Sequence, residues 1–142
     1  MEVKIKVGPN GKLPTYAHDS DAGFDFIAAE SIEIPAGGYK MVKTGIYLEI
    51  PDGYHVEVRS RSGLAAKKGI FVLNSPGTID SGYRGECNVI LANMSIWDFV
   101  VNPGDRIAQG VLMQQYHADF EVVNDINESD RGEGGFGSTG VK

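Results

Sequence analysis

The chain has 142 residues and a formal net charge of −6, with 42% hydrophobic and 23% charged residues. That is the length of one domain, with enough apolar sequence for a real core. The acidic balance argues against broad binding to nucleic acid or anionic membrane, and no apolar run approaches the ~20 residues that span a bilayer. Met1-Glu2-Val3-Lys4-Ile5 alternates polar and apolar residues, unlike a signal peptide. Cys87 is the single cysteine, which makes a reducing cytoplasm the expected setting.

In chain order the sequence reads as many short strands. Val3, Ile5 and Val7 alternate with polar residues until Gly8-Pro9-Asn10-Gly11 ends the strand. Asp21 and Asp25 flank Gly23 before the apolar Phe26-Ile27. Ile32 and Ile34 lead into the turn Pro35-Ala36-Gly37-Gly38, and Ile46, Leu48 and Ile50 lead into Pro51-Asp52-Gly53. Val56 and Val58 alternate with His55, Glu57 and Arg59. Ser62 to Lys68 is the one short helix expected, with Ser62 as its N-cap. From Asn74 to Glu86 the pattern predicts two short strands joined at Ser81-Gly82, a hairpin with Asp80 and Tyr83 at its tip. Asn102-Pro103-Gly104-Asp105 turns into Arg106 to Leu112, and Phe120, Val122 and Val123 are expected to close the core. Turn signals every 8–12 residues or so predict an all-β jelly roll or distorted barrel with one short helix.

Two features bear on function before any comparison. The five arginines, Arg59, Arg61, Arg84, Arg106 and Arg131, lie beside glycine, serine or turns, whereas most of the eight lysines sit on alternating strands. Guanidinium forks grip phosphate oxygens bidentately, so this placement suits a compact polyanion; pairing with nearby carboxylates is the plainer use of each arginine taken singly. The segment 124–142 is a glycine-rich arm that follows a β-domain over 1–123. With almost nothing apolar beyond Ile126 except Phe136 and Val141, it is expected to be mobile in the free protein. Arg131, Phe136, Ser138 and Thr139 on such an arm suit closure over a nucleotide. Its G-x-G-x-x-G string at 132–137 is not a dinucleotide fingerprint, since no strand leads in and no helix follows. No P-loop occurs, and His18, His55 and His117 are too scattered for a metal cluster.

Five stretches carry a family resemblance: Ala22 to Phe26, Arg61 to Ala65, Gly77 to Glu86, Gly104 to Gln109, and Arg131 to Gly140. In order and spacing they resemble the five motifs of the trimeric dUTPases, the deoxyuridine triphosphate nucleotidohydrolases. The resemblance spans nearly the whole chain. It departs at Gly82, where many relatives carry Asp, and at Ser60, where Pro is common.

The resemblance implies a homotrimer of jelly-roll subunits, with active sites at subunit contacts, that hydrolyses dUTP to dUMP and pyrophosphate with Mg²⁺. That reaction keeps uracil out of DNA and supplies dUMP for thymidylate synthesis. Carried over by position, Asp80 is the general base for a water attacking the α-phosphorus, and Gln109 faces that water and the phosphates. Tyr83 lies against the deoxyribose. The hairpin backbone around Thr78, Ile79 and Asn88 pairs with the polar edge of uracil and crowds out the methyl group of thymine, with Asn74 supporting the pocket. Arg61, Ser62 and Gly63 contact phosphates, and Asp25 holds waters of the metal shell. Arg131 reaches the γ-phosphate, Phe136 covers the base, and Gly137, Ser138 and Thr139 add phosphate donors. A dCTP deaminase of the same fold and a nucleotide-responsive regulatory trimer are the alternatives. The first is disfavoured by the Tyr83 stretch and the complete arm, and a purely non-catalytic role by the retention of Asp80, Gln109 and Arg131.

Overall fold

The computed structural model describes residues 1–140; Val141 and Lys142, the end of the expected arm, lie outside the described residues. In chain order the strands are β1 (Lys4–Val7), β2 (Phe24–Ile27), β3 (Ile32–Ile34), β4 (Tyr39–Val42), β5 (Ile46–Glu49) and β6 (Tyr54–Arg59). After α1 (Ser62–Lys68) come β7 (Ile70–Val72), β8 (Gly77–Asp80), β9 (Val89–Asn93), β10 (Phe99–Val101) and β11 (Arg106–Gln114). All the pairings are antiparallel. One sheet runs β2-β11-β6-β8, another β4-β9-β7, and β1-β5 and β10-β3 form two short ribbons. This is a distorted jelly roll, with a single short helix among the described residues.

Period-two alternation builds the core. On β6, Val56 and Val58 point inward and are nearly fully buried, while His55, Glu57 and Arg59 stay partly exposed. Phe26, Ile34, Val42, Ile46, Ile70, Leu91, Val101 and Ile107 complete the interior. At Gly110, on the central strand β11, a β-carbon would collide with the rings of Phe24 and Phe26, whose centroids are 5.3 Å apart. The glycine therefore lets two aromatic rings lie against the strand backbone. Emptying the Phe26 site by Phe26→Ala removes one of the largest buried side chains, at a cost of about 3–5 kcal/mol.

Three expectations are corrected. Ser62 opens α1 and does not cap it: the N-cap is Arg61, in extended backbone and without a side-chain capping bond. The helix stops at Gly69, whose φ of 67° is the left-handed conformation that glycine adopts without penalty.

The expected hairpin also differs. Its turn forms, with the Tyr83 N–H donating to the Asp80 carbonyl at 3.1 Å, but the flanking strands do not pair with each other. β8 pairs with β6, while β9 lies between β4 and β7. The chain leaves the first sheet because Cys87 is drawn inward: its N–H donates to the Ile46 carbonyl at 2.9 Å, and its carbonyl accepts the Thr44 hydroxyl at 2.5 Å.

Finally, Phe120, Val122 and Val123 do not close the core of the single chain; they are 93%, 98% and 53% exposed. Once β11 ends, the Gln115 N–H donates to the Gly53 carbonyl, and none of residues 115–140 lies in a strand or helix. Their alternating pattern therefore meets no partner within one copy.

Candidate active site

The four-stranded sheet places chemistry at two separate ends. At one end, register sets Asp25 of β2 opposite Gln109 of β11, and Gln109 opposite Arg59 of β6. Arg61 follows two residues on, where β6 gives way to α1. Its Nε lies 3.3 Å from Asp25 Oδ1, and Arg106 Nη1 lies 3.6 Å from Asp25 Oδ2. Arg61 Nη1 also donates to the Arg106 carbonyl at 3.0 Å, which fixes the fork relative to β11. Arg59 is held by Glu57, to which its Nε donates at 2.8 Å. That hydrogen bond, against the opposing effect of burial, holds the Glu57 carboxyl below its ordinary range.

Asp25, Arg59, Arg61, Arg106 and Gln109 line a cavity of about 370 Å³, together with Asp21, Gly23, Ser62 and Gly63. Arg59, Arg61 and Arg106 face Asp21 and Asp25 there, and Glu57 pairs with Arg59 beside them, so guanidinium donors are gathered in one place with their charges locally balanced. The Gln109 side chain enters from β11, its Nε2 donating to the Ser60 carbonyl at 3.0 Å. Ser60 is doubly used, since its Oγ also accepts the Val72 N–H at 2.9 Å and ties β7 to the loop before α1.

The other end is a cavity of about 220 Å³ lined by Thr78, Ile79, Asp80, Tyr83, Glu86, Cys87 and Asn88, with Met41 and Ile90. Asp80 and Tyr83 share the tight turn, and the Tyr83 hydroxyl donates to the Glu86 carbonyl at 3.1 Å. Among the described residues, Asn88 Oδ1 is the only buried side-chain oxygen or nitrogen without a hydrogen-bond partner. Leaving a buried acceptor unpaired costs about 1–3 kcal/mol, so such an atom points to a donor from outside the chain. Burial raises the Cys87 thiol to about 11, which keeps it neutral and part of the wall.

The expected site residues thus fall into three groups. Asp25, Arg61, Ser62, Gly63 and Gln109 meet at the arginine-rich end; Thr78, Ile79, Asp80, Tyr83 and Asn88 meet at the turn. Asn74 lines neither cavity; its amide lies over Gly77, with Nδ2 3.2 Å from where a β-carbon there would sit. Arg131, Phe136, Gly137, Ser138 and Thr139 line neither cavity. Arg131 Nε donates to the Gly134 carbonyl within its own turn, and Phe136, fully exposed, holds a φ of 50° that non-glycine residues seldom adopt.

Register also separates the first two groups. Asp80 pairs with His55 and Gln109 with Arg59, on opposite flanks of β6. His55 and Arg59 are four residues apart, about 13 Å at the ordinary strand rise. Within one chain Asp80 and Gln109 therefore cannot touch the same water.

From the sequence, Arg59 and Arg106 stand only among the arginines suited to a polyanion, with no individual role in the site. Arg106 was legible inside Gly104-Asp105-Arg106, but only folding shows that it shares the Asp25 carboxylate with Arg61.

The all-β scaffold thus sets an arginine-rich cavity, with guanidinium donors suited to an anion, at one end of a sheet and a smaller cavity of mixed polar and apolar lining at the other. Known proteins make that class specific. The family model described as dUTPase matches residues 9–140. A curated relative from Helicobacter pylori (strain ATCC 700392 / 26695), named deoxyuridine 5'-triphosphate nucleotidohydrolase, is 51% identical over 142 residues, covering 99% of this chain and 98% of its own. A variant of the Staphylococcus bacteriophage 80alpha dUTPase, solved with dUpNHpp, superposes with a TM-score of 0.91 at 26% identity, covering 99% of each chain. A variant dUTPase from phage phi11 of S. aureus, solved with a structural Mg(II) ion, shares the fold with a TM-score of 0.83 at 22% identity over 90% of this chain and all of its own.

The chain belongs to the dUTPase family. It is a hydrolase of nucleotide metabolism.

Proposed function

We propose that the protein hydrolyses dUTP to dUMP and pyrophosphate. The observation that carries this reading is Asn88 Oδ1, a buried acceptor without a donor in the cavity it shares with Asp80 and Tyr83. The uracil edge presents an N3–H donor that answers it; cytosine has no hydrogen at that position. Backbone groups around Thr78 and Ile79 meet the remaining polar atoms of the base, Asn74 supports the loop beside them, and Tyr83 packs against the deoxyribose. Asp80, exposed at the rim, takes a proton from the attacking water as the oxygen closes on the α-phosphorus. The relatives named above support the substrate, one by its name and one by its dUpNHpp.

The arginine-rich cavity holds the triphosphate. Arg61, Ser62 and Gly63 contact its oxygens, and charge developing toward the leaving pyrophosphate is met by guanidiniums already fixed by ion pairs. Gln109 orients the water opposite Asp80. Since Asp80 and Gln109 stand too far apart in one chain, both act only if a second copy supplies one of them. This separation supports a homotrimer with composite sites, as do the almost fully exposed Phe120, Val122 and Ile126, which need cover in a stable protein. The arm from residue 124 onward follows the β-domain as a separate mobile element. On closure Arg131 meets the γ-phosphate, Phe136 covers the base, and Gly137, Ser138 and Thr139 donate to phosphate oxygens.

Mg²⁺ fits this donor set. Among the described residues no group of three or more histidine, cysteine or acidic side chains gathers to hold an ion directly. Asp25, already paired with two arginines, is suited to accept hydrogen bonds from the waters of a hydrated ion carried by the substrate. When bound, the ion neutralises phosphate charge.

The test is a panel of dUTP, dTTP, dCTP and UTP with Mg²⁺, following pyrophosphate and ammonia. Pyrophosphate from dUTP alone is expected. Ammonia from dCTP, or binding of dUTP without turnover, overturns the reading.

A further inference from the structure

We infer that Gly23 is a positioning residue for Gln109, required because a side chain at position 23 would occupy the space of the Gln109 carboxamide. The inference rests on the proposed role of Gln109 at the reacting water.

Two explanations of a glycine are available, freedom of backbone and absence of a side chain, and the structure separates them. Gly23 is not among the glycines with positive φ, so its backbone is one that any residue adopts. Space is the constraint. A β-carbon at Gly23 would sit 2.6 Å from Gln109 Oε1 and 3.4 Å from both Cβ and Cδ of Gln109. Register explains the closeness. Asp25 pairs with Gln109, so the residue two positions earlier is a diagonal neighbour on the same face of the sheet.

The carboxamide is held through its nitrogen. Its nitrogen donates to the Ser60 carbonyl, which can only accept, and this decides which way the amide faces. Its oxygen is then left over Gly23, at the wall of the arginine-rich cavity, as a free acceptor for a water proton. A methyl group at position 23 meets the movable end of a flexible side chain and no backbone atom of Gln109 within the nearest contacts. The strand pairing has no reason to break, but the amide oxygen has to leave its place. The substitution therefore costs placement more than stability, and a displacement of about 1 Å at a reacting centre lowers rates by up to ~10²-fold.

A double-mutant cycle on the full-length protein tests this, with steady-state dUTP hydrolysis and thermal melting measured for wild type, Gly23→Ala, Gln109→Ala and the double variant. The expected result is a kcat about 10- to 100-fold lower in Gly23→Ala, with KM and Tm close to wild type. The double variant should be no slower than Gln109→Ala alone, because the methyl group has no amide left to displace. A further loss in the double variant, a wild-type kcat in Gly23→Ala, or loss of cooperative melting in Gly23→Ala overturns the inference. A wild-type rate in Gln109→Ala overturns the role of Gln109 and the inference with it. That result differs from the others because it appears in a protein whose position 23 is untouched.

Discussion

The two ends of the four-stranded sheet differ in how far a single chain completes its own chemistry. At the arginine-rich end the charges answer one another: Asp25 bridges Arg61 and Arg106, Glu57 holds Arg59, and Gln109 is tied to Ser60. These groups are fixed before any ligand arrives, which is the arrangement electrostatic stabilisation of a transition state requires. At the turn, Asn88 keeps a buried acceptor unpaired and Asp80 stands at the rim with no ion pair among the described residues. That end gains from its ligand what the other end already has from the fold. Binding strength and positioning should reside at the first, base selection and proton transfer at the second.

The largest test of that division is Asp80→Asn. It removes the proposed base with almost no change in volume, and turnover should fall about 10³-fold while dUTP affinity by calorimetry stays near wild type. A parallel loss of affinity would mean that Asp80 belongs to binding, and the contrast between the two ends would fail. Truncation before Arg131 comes next, with an expected fall in kcat/KM of about 10²-fold and unchanged melting, since the arm buries almost nothing in either cavity. A fully active truncation would remove the arm from the site.

Asn88→Ala and Arg61→Ala sharpen the comparison as a pair. Asn88→Ala should narrow the preference for dUTP over dCTP by about 10-fold or more, because the acceptor that reads N3–H is gone. Arg61→Ala should slow whatever nucleotide is turned over without changing the preference.

The smallest effect expected is on stability at alkaline pH. The Cys87 thiol is raised by burial from 9.0 to about 11 in the folded chain. Below 9 the thiol is protonated folded or unfolded; between 9 and 11 the unfolded chain alone releases its proton, so this contribution is lost as pH rises through that window. Tm should decline there by a few degrees more in wild type than in Cys87→Ala, measured by scanning fluorimetry.

Much of the fold was legible in the chain, because strand alternation and turn chemistry are local. Val56 and Val58 against His55, Glu57 and Arg59 marked β6 and its inward face, and the expected helix, Ser62–Lys68, is the observed one. The exposed apolar positions were not legible. Phe120 and Val122 carry a core-like pattern, yet they stand exposed in the single chain, and no local rule says whether an apolar run has a surface to pack on.

By itself the sequence determined the class of structure, the order of its motifs and the types of group available for phosphate and base. Each of these depends on residue identity and short-range spacing. Only the tertiary structure decided that β8 leaves β9 to join β6, that Arg106 shares the Asp25 carboxylate with Arg61, and that Gly23 makes room for the Gln109 amide. It also set Asp80 and Gln109 at opposite ends of β6. Those are relations between residues distant along the chain, fixed by strand register and by competition for a shared core.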